Sequence, residues 1–93
     1  MLSDFVFYIQ CGDEIEFHLG EYKYFIQPDY SSLNENFDKQ NPPYTSFVLY
    51  DVTNIEKQQK ILYGTTEEII NYKFCGDYTL KYNFDKFCID YVL

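Results

Sequence analysis

Residues 14–19, Glu-Ile-Glu-Phe-His-Leu, alternate strictly between polar and apolar, and Gly20-Glu21 follows at once. Alternation with period two puts Ile15, Phe17 and Leu19 on one face of a strand. Glycine at the first of two loop positions is what a type II′ turn requires. Folding the chain there sets Leu19 against Tyr22, Phe17 against Tyr24 and Ile15 against Ile26. A slip of one residue would set the same three against Lys23, Phe25 and Gln27 and break that apolar match. The sequence therefore predicts a hairpin over 14–27 with a specified register. Its other face carries Glu14, Glu16, His18, Lys23, Phe25 and Gln27.

The remaining segments supply a sheet and helices around this hairpin. Leu2, Phe5, Val6 and Ile9 have helical spacing, with Ser3 as a cap and Gly12 in the position after the last turn. The same run also fits a buried strand, and helix is the preferred reading. Residues 28–43 hold three prolines and several Ser and Asn, and read as a long loop. Within it, Ser32-x-x-Glu35 has capping-box spacing and predicts one helical turn. Residues 44–52 are rich in aromatic and β-branched types and predict a strand, with a short partner at Ile61-Leu62-Tyr63. Thr65-x-x-Glu68 opens a helix carrying Ile69, Ile70 and Phe74, which Gly76 closes. A further helix starts at Asp77 or Thr79 and carries Leu80, Phe84 and Phe87. Residues 88–93 form a last strand. Cys-Gly-Asp occurs at 11–13 and again at 75–77, and helix-stop geometry accounts for both. The expected fold is a small single α+β domain over 1–93, an antiparallel sheet built on the 14–27 hairpin with short helices packed on one face.

Chemistry is harder to find. Twenty of the 93 residues are Phe or Tyr, enough to build a core in a chain of this size. No run approaches the roughly 18 apolar residues of a membrane span. Met1-Leu2-Ser3-Asp4 has no basic n-region, so no secretory signal is expected and the chain is expected in the cytoplasm. Without an apolar span or an excess of cations, no membrane association is expected either. Cys11, Cys75 and Cys88 are an odd set without C-x-x-C spacing, so packed or free thiols are expected, with no disulfide framework. With His18 the only histidine, no metal site is expected either. His18 shares a strand face with Glu14 and Glu16, and Glu16 is placed to orient its ring. A general base also needs a pocket, which the neighbourhood of a hairpin turn does not offer. Glu67-Glu68 is explained by the first turn of a helix. No phosphate loop, calcium loop or nucleophile motif is present, so the expectation is a protein without catalytic residues and without cofactor.

Charge says more. Fifteen carboxylates face seven lysines, and there is no arginine, for a net charge of −8. Residues 1–46 hold eight acids and two lysines, net −6, against −2 for residues 47–93. Nucleic-acid binding draws on cations that displace counterions, and on Arg for bidentate contacts, so direct binding to nucleic acid is not expected. Net negative charge by itself serves solubility. Combined with tyrosines, which offer large contact area at low entropy cost, it favours recognition of a protein. The candidate binding residues are Glu14, Glu16, Glu21, Tyr22, Phe25 and Tyr30, and Tyr44 is a further residue expected to be exposed.

The segment Tyr8-Ile-Gln-Cys-Gly-Asp-Glu-Ile-Glu-Phe17 with the hairpin to Ile26 resembles small proteins of Gram-positive bacteria and their phages and mobile elements. Thr65–Asn71, Gly76-Asp-Tyr-Thr-Leu-Lys81 and the closing Ile-Asp-Tyr-Val-Leu93 look similar too. These motifs are structural and chemically silent, and 28–43 lies outside the likeness. The resemblance implies a fold and a mobile-element origin, and carries over no catalytic residue. The expected function is that of a non-enzymatic acidic protein-binding module. Its most specific form is an inhibitor of the anti-CRISPR or anti-restriction kind, occupying a basic groove of a nucleic-acid-handling protein. The alternatives are a small-molecule-binding or regulatory domain using the 28–43 loop, and a structural subunit of an assembly.

Overall fold

The computed structural model describes residues 1–93. Strands β1 (Ile15–Leu19) and β2 (Tyr22–Pro28) pair antiparallel with Ile15 opposite Ile26, Phe17 opposite Tyr24 and Leu19 opposite Tyr22, the register the alternation predicts. Gly20 has φ +59° while Glu21 stays at negative φ, which fits a type II′ turn. Three more strands complete an antiparallel sheet: β3 (Phe47–Asp51), β4 (Gln59–Gly64) and β5 (Cys88–Val92), in the order β4-β3-β2-β1-β5. The hairpin is thus central, and the last strand closes the edge beside β1.

Cross-strand partners point to the same side of a sheet. One side carries Ile15, Phe17, Leu19, Tyr24, Ile26, Phe47 and Leu49, all buried. Onto it pack Phe5 and Ile9 of α1 (Leu2–Gln10), Ile69 and Ile70 of α2 (Thr66–Ile70), Leu80 of α3 (Leu80–Asn83), and Phe74 and Phe87 from the connections. These residues form one continuous core. All the helices lie on this side, and the opposite face of the sheet has no helix over it. The chain is a small single α+β domain. No helix is long and apolar enough to cross a membrane.

Local signals explain most element ends. Thr65 and Glu68 form the expected reciprocal capping box, each side chain bonding the other's backbone N–H. After α1, Asp13 N–H reaches the Tyr8 carbonyl (3.1 Å) and Gly12 N–H the Ile9 carbonyl (3.0 Å), a Schellman stop with Gly12 at φ +87°.

Four expectations are corrected. Ser3 is not a cap: α1 already begins at Leu2, so Ser3 lies inside the first turn, and no side chain caps the start. Ser32-x-x-Glu35 starts nothing. The helical turn is a 3₁₀ turn at Tyr30–Ser32, and Asp29 caps it by accepting from Ser31 N–H (3.0 Å). Gly76 does not close α2. That helix stops at Asn71, whose side-chain amide turns back onto the Glu67 carbonyl (2.8 Å). The second Cys-Gly-Asp is accordingly no helix stop: Cys75 (φ +49°) and Gly76 (φ +97°) form a tight loop closed by paired bonds between Phe74 and Tyr78.

Candidate functional site

The helix-free face of the sheet gathers the most chemically varied side chains of the molecule. β1 contributes Glu16 and His18, β2 contributes Phe25 and Gln27, and β3 contributes Val48 and Tyr50. Val48 is buried yet lies outside the core, flanked in register by Gln27 and Tyr63 on this face. Phe25 and Tyr50 pack side by side with centroids 6.4 Å apart, and Gln27 Nε2 donates to the Tyr50 hydroxyl (3.3 Å).

A β-bulge brings β5 into this face. Glu16 pairs with Tyr91 but Phe17 pairs with Ile89, so Asp90 is an extra residue. Strict alternation would have turned Tyr91 to the core side. The bulge puts Asp90 and Tyr91 together on the open face and returns Val92 to the core side, opposite Ile15. Asp90 then accepts from His18 Nδ1 at 2.9 Å. The partner of His18 is therefore Asp90 and not Glu16, because the bulge delivers a carboxylate from the neighbouring strand. Hydrogen bonding toward the Glu16 carboxylate raises the Tyr91 phenol above its ordinary value, helped by partial desolvation and the charges of Glu14 and Asp90.

Phe25, Glu16 and Tyr91 line a depression of ≈ 400 Å³ together with Lys23, Val52, Thr53, Ile55 and Gln58. Its far wall is the β3–β4 loop, fixed by Val52 N–H to the Lys23 carbonyl (2.9 Å) and Lys23 N–H to Thr53 Oγ1 (2.8 Å). Ile55, at the tip of that loop, is 82% exposed. The ion pairs of the protein are Met1–Asp4 and Lys81–Glu67, and the hydrogen bond to Asp90 takes up His18. Glu14 and Glu16 take no cation as partner.

At the end of the face, the exposed Tyr30 hydroxyl donates to Glu14, and its ring meets that of Tyr44 edge to face at 5.9 Å. The bond to Glu14 pushes Tyr30 up to about 12, with smaller contributions from desolvation and from the charge of Glu14. A phenol raised on folding adds stability that is fully present below its unfolded value near 10 and lost as pH rises through the folded value. Tyrosinate absorbance titrations of the wild type and of Tyr30→Phe should therefore differ by a component near pH 12, and Glu14→Gln should move that component down. A difference curve centred near 10 would contradict the contact.

Asp29 is held below its usual range by Ser31, whose Oγ donates at 2.6 Å, and by the Tyr63 hydroxyl. It ties the start of the 29–46 loop to β4.

Of the candidate binding residues, the structure brings Glu14, Glu16, Phe25 and Tyr30 to the open face or its end. Glu21 and Tyr22 lie apart at the hairpin turn, lining a separate hollow with Cys75, Tyr78 and Lys86. Pairing with Leu19 turns Tyr22 to the core side, at its margin. Tyr91, Tyr50 and Asp90 belong to the face but escaped the sequence reading. The available signal was Ile-Asp-Tyr-Val, two non-core residues between two apolar ones, a spacing period two does not allow.

All three cysteines are free and exposed, and none is packed in the core. No group of three or more His, Cys, Asp or Glu side chains is placed to hold a metal ion. Comparison with protein-family models, with curated proteins and with solved structures finds no match.

Proposed function

We propose that this chain is a non-enzymatic acidic protein-binding module whose helix-free sheet face docks into a basic groove of a nucleic-acid-handling protein. The observation that carries this reading is the pairing of uncompensated carboxylates with aromatic rings on one uncovered face. Glu14 and Glu16 have no cation partner, and Phe25, Tyr50 and Tyr91 stand beside them. Aromatic rings supply contact area and carboxylates supply steering, the division of labour found in protein interfaces. Occupying such a groove excludes the nucleic acid from it, which is the action of an inhibitor. A partner captured at low salt should be released by salt and displaced by added DNA, and the Glu14→Lys/Glu16→Lys variant should fail to capture it. A partner indifferent to DNA and to the charge reversal would contradict the reading.

A second reading has one observation in its favour. Leu33, Phe37, Pro43 and Tyr44 line a hollow of ≈ 580 Å³ with Cys11, Asp38 and Lys39, in the size range of small-ligand sites. It lies between the 33–44 stretch and the end of α1, away from the hairpin face. Phe37 is 58% exposed there. An apolar fluorophore such as anilinonaphthalene sulfonate should bind the native protein and be lost in Phe37→Ser. Absence of native-state binding would remove this reading.

A further inference from the structure

Resting on the docking face just proposed, we infer that the depression between Glu16, Phe25, Tyr91 and Ile55 is a receptor for a guanidinium group, an arginine side chain of the partner. The walls and the charge both fit this occupant. Phe25 and Tyr91 come from β2 and β5, on either side of Glu16, because the bulge at Asp90 turns Tyr91 to this face. The β3–β4 loop closes the far side with Val52 and Ile55. A planar cation stacks on aromatic faces, and a guanidinium does so better than an ammonium because it is flat and weakly hydrated.

The charged groups of the depression are Glu16 and Lys23. They form no ion pair with each other. Lys23 is exposed and stands opposite His18, while Glu16 stands opposite Tyr91. Glu14 and Asp90 share this end of the face with Glu16; Asp90 is taken by His18 and Glu14 accepts from the Tyr30 hydroxyl, while Glu16 has no cation partner. A carboxylate in such a field, without a cation of its own, is completed by one from outside. The chain has no arginine to fill the site itself.

The test titrates the full chain, ¹⁵N-labelled, with three short soluble peptides: an Arg-Gly repeat, its Lys-Gly counterpart, and the neutral citrulline-Gly repeat. The Arg peptide should move the amides of Glu16, Phe25, Ile55 and Tyr91, and bind about threefold tighter than the Lys peptide. Citrulline should leave the spectrum unchanged. Glu16→Gln should weaken Arg binding about fivefold, Phe25→Leu should abolish the preference for Arg, and Lys23→Ala should tighten binding by removing a competing cation. Each variant's amide spectrum reports whether the fold is intact. Arg and Lys peptides bound equally, with shifts still confined to the open sheet face, would overturn the arginine receptor and leave the acidic docking face standing; shifts spread over the carboxylates of the whole surface would overturn both. No binding of either cationic peptide at low salt would overturn both.

Discussion

Phe17→Ala is expected to bring the protein close to unfolding. Phe17 has no exposed surface, and its ring lies 5.5–5.9 Å from those of Phe5, Tyr24, Phe74 and Phe87. Those four arrive from α1, from β2, from the turn after α2 and from the entry to β5, so one side chain joins the sheet to everything packed on it. Truncating a buried Phe to Ala typically costs about 3–5 kcal/mol, transfer and cavity together. A chain this small sits near the lower end of the usual range of about 5–15 kcal/mol, so most of its stability would go. Urea denaturation followed by far-ultraviolet circular dichroism reads the loss directly. The comparison is Phe25→Ala, the next outward-facing aromatic along the hairpin, which should cost only about 1 kcal/mol. Equal losses at the two positions would mean that the core is not on the side of the sheet described here.

Gly12→Ala should cost about 2–3 kcal/mol, for two reasons that can be separated. The first is conformational, since φ +87° is a left-handed position that a Cβ disfavours. The second is steric: a Cβ at Gly12 would stand 2.3 Å from Tyr44 Cε2, and Tyr44 is packed against the core and edge to face with Tyr30. Tyr44→Ala in the same chain should therefore recover part of the loss, leaving about 1 kcal/mol for the backbone alone. A double-mutant cycle by chemical denaturation gives both terms. Strict additivity of the two substitutions would show that Tyr44 does not close on the α1 stop.

The contrast between these positions also explains what the sequence could tell. The hairpin was legible to the residue, because alternation, turn glycine and cross-strand match all depend on neighbours a few positions apart. The Thr65–Glu68 capping box was legible for the same reason. The stop of α2 was not: Asn71 and Gly76 both carry stop chemistry, and the Phe74–Tyr78 loop that decides between them exists only once Phe74 is drawn into the core. The site suffered more than the fold. Glu16 and Phe25 could be placed on one face from the hairpin alone, whereas Asp90 and Tyr91 reach it through a bulge set by pairing 72 residues apart, as in the His18–Asp90 bond. A histidine that shares its strand face with Glu14 and Glu16 thus took its carboxylate from the far end of the chain.

The central claim, that binding resides on the open sheet face and not in net charge as such, is tested most directly by two double variants with the same change in charge. Glu14→Lys/Glu16→Lys alters the open face. Glu67→Lys/Asp85→Lys alters exposed carboxylates of α2 and of the Phe84–Lys86 turn, on the helical side. Calorimetric titration of each with the Arg-Gly repeat peptide at low salt should show the first weakened at least about tenfold and the second within about twofold of wild type. Equal weakening of the two would contradict the account, leaving a diffuse acidic surface with no docking face.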